Sequence, residues 1–190
     1  MKNLTRDSLL NSLVMAVVLC APNIGLTQLP SIVASPVSQA VPQGATASFS
    51  ISVSGPLPIT YTWLWFRNGL PPTLYYQATL DSTNCTIVIT NVQLSDAGFF
   101  NIDTQNSYGP GPGQQAVLAV ISPGIETNGF VLNVYGLTNS IWTVNCTTNL
   151  SPPEWFTLTN FSIPQTRKFK FVDREATNLN RFYQVIPIVY

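Results

Sequence analysis

The chain contains no histidine among its 190 residues. Histidine is the commonest general base, the usual activator of a serine nucleophile and a frequent zinc ligand, so few sites of these kinds remain open to the chain. A glycosidase needs two carboxylates roughly 5–10 Å apart in one cleft, and the positions of Asp81, Asp96 and Asp103 suggest no such pair. The acidic residues also do not cluster as a calcium site requires. The sequence therefore predicts a protein that is not an enzyme and that binds no cofactor or metal.

Aromatic residues are the other group that could form a binding site. Tyr75 and Tyr76 follow the segment Pro-Pro-Thr-Leu, and Tyr108 precedes a loop rich in Gly and Pro. Together with Trp155, these side chains could form a platform for a sugar or a peptide. Packing in a core or along an edge strand is the alternative. We therefore treat Tyr75, Tyr76 and Tyr108 as candidate ligand-facing residues.

The cysteines allow two interpretations. Cys85 has the same strand parity as Ile87 and Ile89, and Cys146 shares the parity of Trp142. This pattern favours two buried free thiols, since cysteine packs as a small apolar residue. A bridge between the two would need Cα atoms within about 7 Å. Counting thiols in the denatured, unreduced protein separates the two interpretations.

The charge balance excludes an electrostatic partner. Only 8% of the residues are charged, and the formal net charge is 0. Nucleic-acid binding needs a basic face, which this composition does not provide. The basic residues between Arg167 and Arg181 are interspersed with the acidic Asp173 and Glu175, as is typical of a solvated strand face. The 15 Pro and 11 Gly favour short strands joined by turns over helices.

Residues 1–27 are predicted to be a signal peptide. Lys2 and Arg6 precede the apolar segment Leu9–Ala21, which is too short to span a membrane comfortably. Cleavage after Thr27 fits the rule that small residues precede the cleaved bond. The alternatives to this cleavage are lipid attachment at Cys20 and retention of the segment as an anchor. The mature chain is thus expected to be secreted or held at the cell surface, with no membrane span of its own.

Apolar and polar residues alternate from Leu29 onward, which is the pattern of half-buried β-strands. Asn68-Gly69 marks a turn. Short strands at regular spacing favour a β-sandwich. The side chains predicted to point inward are, strand by strand, Ala47, Phe49, Ile51 and Val53; Tyr61, Trp63 and Trp65; Cys85, Ile87 and Ile89; Phe100, Ile102 and Thr104; and Ala116, Leu118 and Val120.

Residues 28–121 resemble an I-set immunoglobulin domain. The segment Trp65-Phe66-Arg67-Asn68-Gly69 is similar to the family's strand C tryptophan and the turn after it, and Ile87–Val92 is similar to strand E. Asp96, Gly98 and Phe100 occupy the family's Asp-x-Gly-x-Tyr positions. The resemblance implies an immunoglobulin-like Greek-key β-sandwich. Its signature core would comprise Ile51, Trp65, Ile87, Ile89, Asp96, Gly98, Phe100 and Ile102.

The resemblance also implies that the inter-sheet disulfide of the family is missing. Ile51 and Ile102 stand at its two cysteine positions, and Phe100 replaces a tyrosine. A disulfide closing a loop of about 50 residues contributes ~4 kcal/mol, whereas burying an isoleucine contributes ~1.5–3 kcal/mol. Because half-cystines are themselves apolar, the replacement recovers only part of the loss. We expect the core to depend on its aromatic residues Phe49, Trp63, Trp65 and Phe100.

A second pattern begins after residues 122–128, which Pro123 and Gly124 predict to be a linker. Residues 129–190 are expected to form a smaller antiparallel β domain. Its predicted strands are Phe130–Tyr135, Ile141–Thr147, Trp155–Thr159, Lys168–Val172 and Phe182–Ile186. Motifs such as Phe171–Asp173 and Arg181–Tyr183 resemble a short module that ends secreted bacterial proteins. This resemblance implies a bacterial source and no known activity.

Three functions fit these features. The first is an interaction or adhesion module that binds a protein or a glycan at the cell surface through loops or strand edges. The second is a carbohydrate-binding accessory of exported hydrolases. The third is a structural spacer or export tail. The fold alone does not decide between them.

The aromatic core generates a first prediction. Trp65→Ala is expected to abolish folding, because the core lacks the disulfide that would otherwise hold the two sheets together. Thermal unfolding followed by circular dichroism measures this. A melting temperature within a few degrees of the wild type would contradict it.

Overall fold

The computed structural model describes residues 28–67, 70–176 and 180–188. The predicted signal peptide at 1–27, with its alternatives at Cys20 and the retained anchor, lies outside the described residues. So does the predicted turn at Asn68-Gly69. Neither prediction is tested by the structure.

The described chain folds into β-strands and one short 3-10 helix, Leu94–Asp96. The strands are β1 (Ser31–Ala34), β2 (Gln39–Pro42), β3 (Ala47–Ser54), β4 (Ile59–Arg67), β5 (Thr73–Leu80), β6 (Asn84–Ile89), β7 (Gly98–Asn106), β8 (Gly109–Pro110), β9 (Gln114–Glu126), β10 (Gly129–Tyr135), β11 (Ile141–Thr147), β12 (Phe156–Ser162), β13 (Lys168–Asp173) and β14 (Phe182–Pro187). The predicted all-β class is therefore confirmed.

The strands form three sheets. The first has the order β1-β3-β6, the large sheet has the order β13-β10-β9-β7-β4-β5, and the third has the order β12-β11-β14. In the large sheet β2 also pairs with β9, in parallel, whereas the other strand pairs are antiparallel. The chain crosses between sheets from β3 to β4, from β5 to β6 and from β6 to β7, as expected of a Greek-key sandwich.

The first core lies between the β1-β3-β6 sheet and the β5-β4-β7-β9 part of the large sheet. Every side chain predicted to point inward from these strands is buried there. Phe100 on β7 is the centre of an aromatic cluster: Phe49 reaches it from the opposite sheet with ring centroids 5.3 Å apart. Trp65 stacks on Phe100 at 5.2 Å, and Trp63 meets it edge-on at 6.2 Å. The expected dependence of the core on aromatic residues therefore has a structural basis.

The strand register distinguishes the two tryptophans. Trp63 lies opposite Ile102 and is completely buried, whereas Trp65 lies opposite Phe100 and keeps 8% of its surface exposed. Ile51 and Ile102, at the predicted cysteine positions, are both buried in this core. The core thus stays apolar at the two positions where the resembled family carries its inter-sheet disulfide.

The predicted linker at 122–128 is wrong. Strand β9 continues without interruption to Glu126, and only Thr127 and Asn128 separate it from β10. Residues Val120 to Glu126 pair with β10 in antiparallel register. Pro123 and Gly124 suggested an irregular segment, but the pairing with β10 is a non-local interaction that local composition does not reveal.

Both faces of β9 are used by hydrophobic cores. Ala116, Leu118 and Val120 point into the first core, while Ala119 lies in a second core. Val117, like Ile121, packs against that second core. Because successive side chains of a strand point to opposite faces, one strand forms a wall of two sandwiches.

The second core lies between the β13-β10-β9 part of the large sheet and the β12-β11-β14 sheet. All five predicted strands occur, but the third is Phe156–Ser162, displaced toward the C-terminus, and the five divide between two sheets. Trp142, Val144 and Ile163 are buried at the centre, and Phe161 stacks on Phe169 at 3.9 Å between the two sheets. Whether residues 28–121 and 129–190 fold as independent domains stays a prediction.

A buried ionic cluster joins β13 to the start of β14. Nη1 of Arg181 lies 2.7 Å from Oδ2 of Asp173, and the Tyr183 hydroxyl donates to the same oxygen at 2.8 Å. The Tyr183 ring stacks on Phe130 of β10 at 4.4 Å. The Phe-x-Asp and Arg-Phe-Tyr motifs of the sequence therefore hold the two sheets of the second sandwich together.

The Asp-x-Gly pattern before β7 has a local explanation. The backbone nitrogen of Gln93 donates to Oδ2 of Asp96 at 2.8 Å, which closes the 3-10 turn. Gly98 lies opposite Arg67, and a Cβ atom there would stand 2.1 Å from the backbone oxygen of Phe66. Asp96 and Gly98 thus serve the fold.

Gly98→Ala is expected to destabilise the protein by about 3 kcal/mol, because the added methyl group meets rigid backbone atoms. Gly124→Ala is the matched control, since a Cβ at this strand glycine meets no atom within 4 Å. Chemical denaturation of the two variants measures the difference. Equal free energies of unfolding for the two would contradict the prediction.

Candidate binding surface

The predicted signature residues lie in the fold rather than at a surface. The first core buries the apolar members of this set: Ile51, Trp65, Ile87, Ile89, Phe100 and Ile102. Asp96 and Gly98 shape the turn before β7, as described above. None of these side chains is available to a ligand.

Tyr75 packs into the first core instead of facing a ligand. Its ring meets Trp65 at 5.3 Å and Phe100 at 5.4 Å, both nearly edge-on. Its hydroxyl donates to the backbone oxygen of Val88 at 3.0 Å. Burial raises the pKa of this hydroxyl, and the nearby charge of Asp96 raises it further.

A β-bulge explains how two consecutive tyrosines pack on the same core. In the β4–β5 ladder Trp63 pairs with Tyr76 and Leu64 pairs with Leu74, so that Tyr75 is the extra residue. A bulge re-aims a side chain that strict alternation would send to the outer face. Tyr76 packs against the core as well. Alternation read from the sequence could not place both residues.

The structure does not bring the three candidate tyrosines together. Tyr108 is exposed in the turn after Asn106, where its backbone nitrogen donates to Oδ1 of Asn106 at 3.0 Å. Tyr75 contacts Phe100. Phe100 precedes Asn106 by six residues along β7, which places Tyr75 roughly 20 Å from the turn that holds Tyr108. Trp155 belongs to the second module, before β12. An aromatic platform built from these residues is therefore not present.

The acidic and cysteine side chains were the remaining candidates for chemistry. Within the described ranges no three acidic or cysteine side chains cluster as metal ligands would. Cys85 and Cys146 are both free and buried, and burial raises the pKa of the Cys85 thiol. A thiol with a raised pKa is a poor nucleophile at neutral pH. The described part of the chain also contains no helix long and apolar enough to cross a membrane.

An apolar surface that the sequence analysis missed lies on the outer face of the large sheet. Phe66 on β4 stacks on Phe99 of β7 with ring centroids 4.5 Å apart and planes 6° from parallel. Leu64 lies opposite Leu74, which is 59% exposed on the edge strand β5. We call these four residues, Leu64, Phe66, Leu74 and Phe99, the outer patch.

The remainder of this outer face is polar and largely self-bonded. The hydroxyls of Thr60 and Thr79 lie 2.7 Å apart across β4 and β5. Gln77 donates to Thr62 at 3.0 Å, and Asn101 donates to Asp103 at 3.1 Å. The face is thus divided into an apolar end and a polar end.

Such an arrangement is suited to contact rather than to catalysis. Contiguous apolar surface beside polar residues is typical of protein-binding sites. The sequence did contain a signal for it. Outward positions of β4 and β7 hold Leu64, Phe66 and Phe99, although the inward faces of these strands are already apolar. Outward positions are usually polar in a sheet with one solvated face.

A family model described as Immunoglobulin domain matches residues 30–106. A search of curated proteins found no match. Among solved structures, a chimeric titin Z1Z2 carrying a decorin peptide is 25% identical, with a TM-score of 0.39, over 49% of this chain and 94% of that one. The titin M10–obscurin-like 1 Ig complex is 21% identical, with a TM-score of 0.42, over 50% and 97%. Dpr1 IG1 bound to DIP-eta IG1 is 18% identical, with a TM-score of 0.40, over 48% and 94%.

The placement of the tyrosines yields a stability prediction. Tyr75→Ala should lower the free energy of unfolding by about 2 kcal/mol, because it removes a partly buried ring and a hydrogen bond. Tyr108→Ala should change it by less than about 0.5 kcal/mol, since that side chain is exposed. Urea denaturation tests both. A destabilisation by Tyr108→Ala as large as that by Tyr75→Ala would contradict the assignment.

Proposed function

Because residues 30–106 form an immunoglobulin-like domain, we propose that the chain is a secreted bacterial interaction module that binds a protein partner at the cell surface and catalyses no reaction. The module is of the I-set type. The parallel pairing of β2 with β9 supports this assignment, as do the sequence motifs of residues 28–121. Secretion is supported by the signal-like composition of residues 1–27.

The outer patch is the observation that carries this proposal. Leu74 is exposed. The other three residues, Leu64, Phe66 and Phe99, are half-buried on the same sheet face, and no further strand among the described residues pairs over this end. Removing apolar surface from water stabilises a complex by roughly 25 cal/mol per Å². A partner that covers the patch would therefore bind more tightly than one that leaves it exposed. Aromatic residues are also enriched at the centres of protein interfaces.

The edge strand β5 supplies the second feature of the surface. Among the described strands it pairs only with β4, and such an unpaired edge presents backbone donors and acceptors. A partner that contacts Leu74 lies beside this edge and can form main-chain hydrogen bonds with it. The patch and the edge together favour a protein partner over a small molecule.

A paired substitution on β5 tests the proposal. The full mature chain is used as bait on an array of exported and cell-surface proteins, and the affinity for each protein bound is then measured by interferometry. Leu74→Asp is expected to weaken binding at least tenfold, because it introduces a charge that the interface must desolvate. Gln77→Asp introduces the same charge at an exposed position at the polar end and should leave binding within a factor of two.

Two results would overturn the proposal. One is that no protein binds the folded wild-type chain, which is the behaviour of a spacer or an export tail. The other is that Leu74→Asp and Gln77→Asp weaken binding equally, because the interaction would then be electrostatic and independent of the patch.

A further inference from the structure

The three strands of the β12-β11-β14 sheet contain no charged residue. Their sequences are FTLTNFS, IWTVNCT and FYQVIP. Charged residues of the second module lie outside these strands: Glu154 just before β12, Arg167 just before β13, and the others on β13 or in the segment from Asp173 to Arg181. The outer face of this sheet, which points away from the second core, is therefore built from neutral side chains alone.

The shape of this outer face is a trough. Trp142 and Val144 of the central strand β11 point into the core, so Thr143, Asn145 and Thr147 form the floor on the other side. These three polar residues are buried, although their register places them on the outer face. Phe182 lies opposite Thr147 and Ile186 lies opposite Thr143, and each is 41% exposed.

Carboxamides in the trough have hydrogen-bonding capacity that the protein does not use. Oδ1 of Asn145 accepts from the hydroxyl of Thr157 at 2.9 Å, and Oδ1 of Asn160 accepts from Thr143 at 2.8 Å. These bonds fix the two amide groups. Among the described residues, neither amide nitrogen donates to the protein, and the side chain of Gln184, opposite Asn145, makes no hydrogen bond.

The end of the trough deepens beside Thr147. A pocket of about 300 Å³ is lined there by Thr147, Thr148, Asn149, Pro152, Glu154 and Phe156. Phe156 is largely exposed, and Trp155, next to it in the chain, is partly exposed. Aromatic rings thus lie near the end of the polar floor: Phe156 lines the pocket, and Phe182 stands opposite Thr147 on β14.

We infer that this trough binds a neutral polysaccharide. The ring C–H groups of a sugar are apolar and pack on exposed aromatic faces, while its hydroxyls pair with amide and hydroxyl groups. A charged ligand would meet no countercharge on the three strands. A purely apolar ligand would cover the buried amide of Asn145 without giving it a partner, which costs free energy. A neutral chain of sugars satisfies both sets of groups.

This site is separate from the outer patch, which lies on the other module. The two can therefore act independently, and a variant in one is not expected to alter the other. The inference adds a second ligand class to the protein and does not rest on the proposed protein partner.

Affinity electrophoresis of the full mature chain tests the inference. Gels containing xylan, mannan or mixed-linkage β-glucan serve as neutral probes, and a gel containing polygalacturonate serves as the charged probe. At least one neutral polysaccharide should retard the wild-type chain. Phe182→Ala should weaken that retardation about tenfold, the effect of losing one aromatic contact. Tyr108→Ala removes an equally exposed ring from the first module and should change nothing.

Gln184→Ala provides a second variant that does not depend on an aromatic residue. It removes an unpaired carboxamide and is expected to weaken retardation several-fold while the thermal unfolding curve stays as in the wild type. Retardation by polygalacturonate alone would overturn the inference. So would the absence of retardation in every neutral gel, or full retention by both Phe182→Ala and Gln184→Ala.

Discussion

Burial of both faces of strand β9 is the constraint on which the rest of the structure depends. Residues of one parity complete the first core, and those of the other parity complete the second. The strand pairs with β7 along Gln114–Leu118 and with β10 beyond Val120. Strand β2 pairs with residues 118–121 of β9. Within this stretch β9 also pairs with β7 or β10, so β2 occupies the other edge of β9. The two sandwiches therefore share strand β9, which runs from one core to the other without interruption.

The first sandwich is held together by aromatic contacts where a covalent bond is absent. Phe100 touches Phe49 across the two sheets and is surrounded by Trp63, Trp65 and Tyr75. Pairs of this kind contribute roughly 0.5–1.5 kcal/mol each beyond their burial. This packing gives Tyr75 a structural role. The second sandwich uses a different device, the buried pair of Asp173 and Arg181 with Tyr183, which is specific in geometry and tolerates little change.

The low charge of the chain gives its surfaces a common character. The outer patch contains no charged side chain, and the only charged residue that lines the end pocket of the trough, among the described residues, is Glu154. The recognition proposed at both surfaces would depend on apolar contact and on directional hydrogen bonds rather than on electrostatic steering. The patch has few unpaired polar groups and suits a protein surface, whereas the trough has unpaired amides beside aromatic rings and suits a sugar chain. Strand β9 takes part in both sandwiches and so connects the two modules directly.

The sequence by itself determined the inward faces of the strands, the turn formed by Asp96 and Gly98, and the apolar replacement at Ile51 and Ile102. These features are local, because alternation with a period of two and turn chemistry are set by near neighbours. Only the tertiary structure decided that residues 122–126 extend β9, that a bulge turns Tyr75 inward, and that Leu64, Phe66, Leu74 and Phe99 meet on one face. Each of these depends on which strand pairs with which, and in what register. Pairing is selected by the total surface that the whole chain buries, which no short segment of sequence specifies.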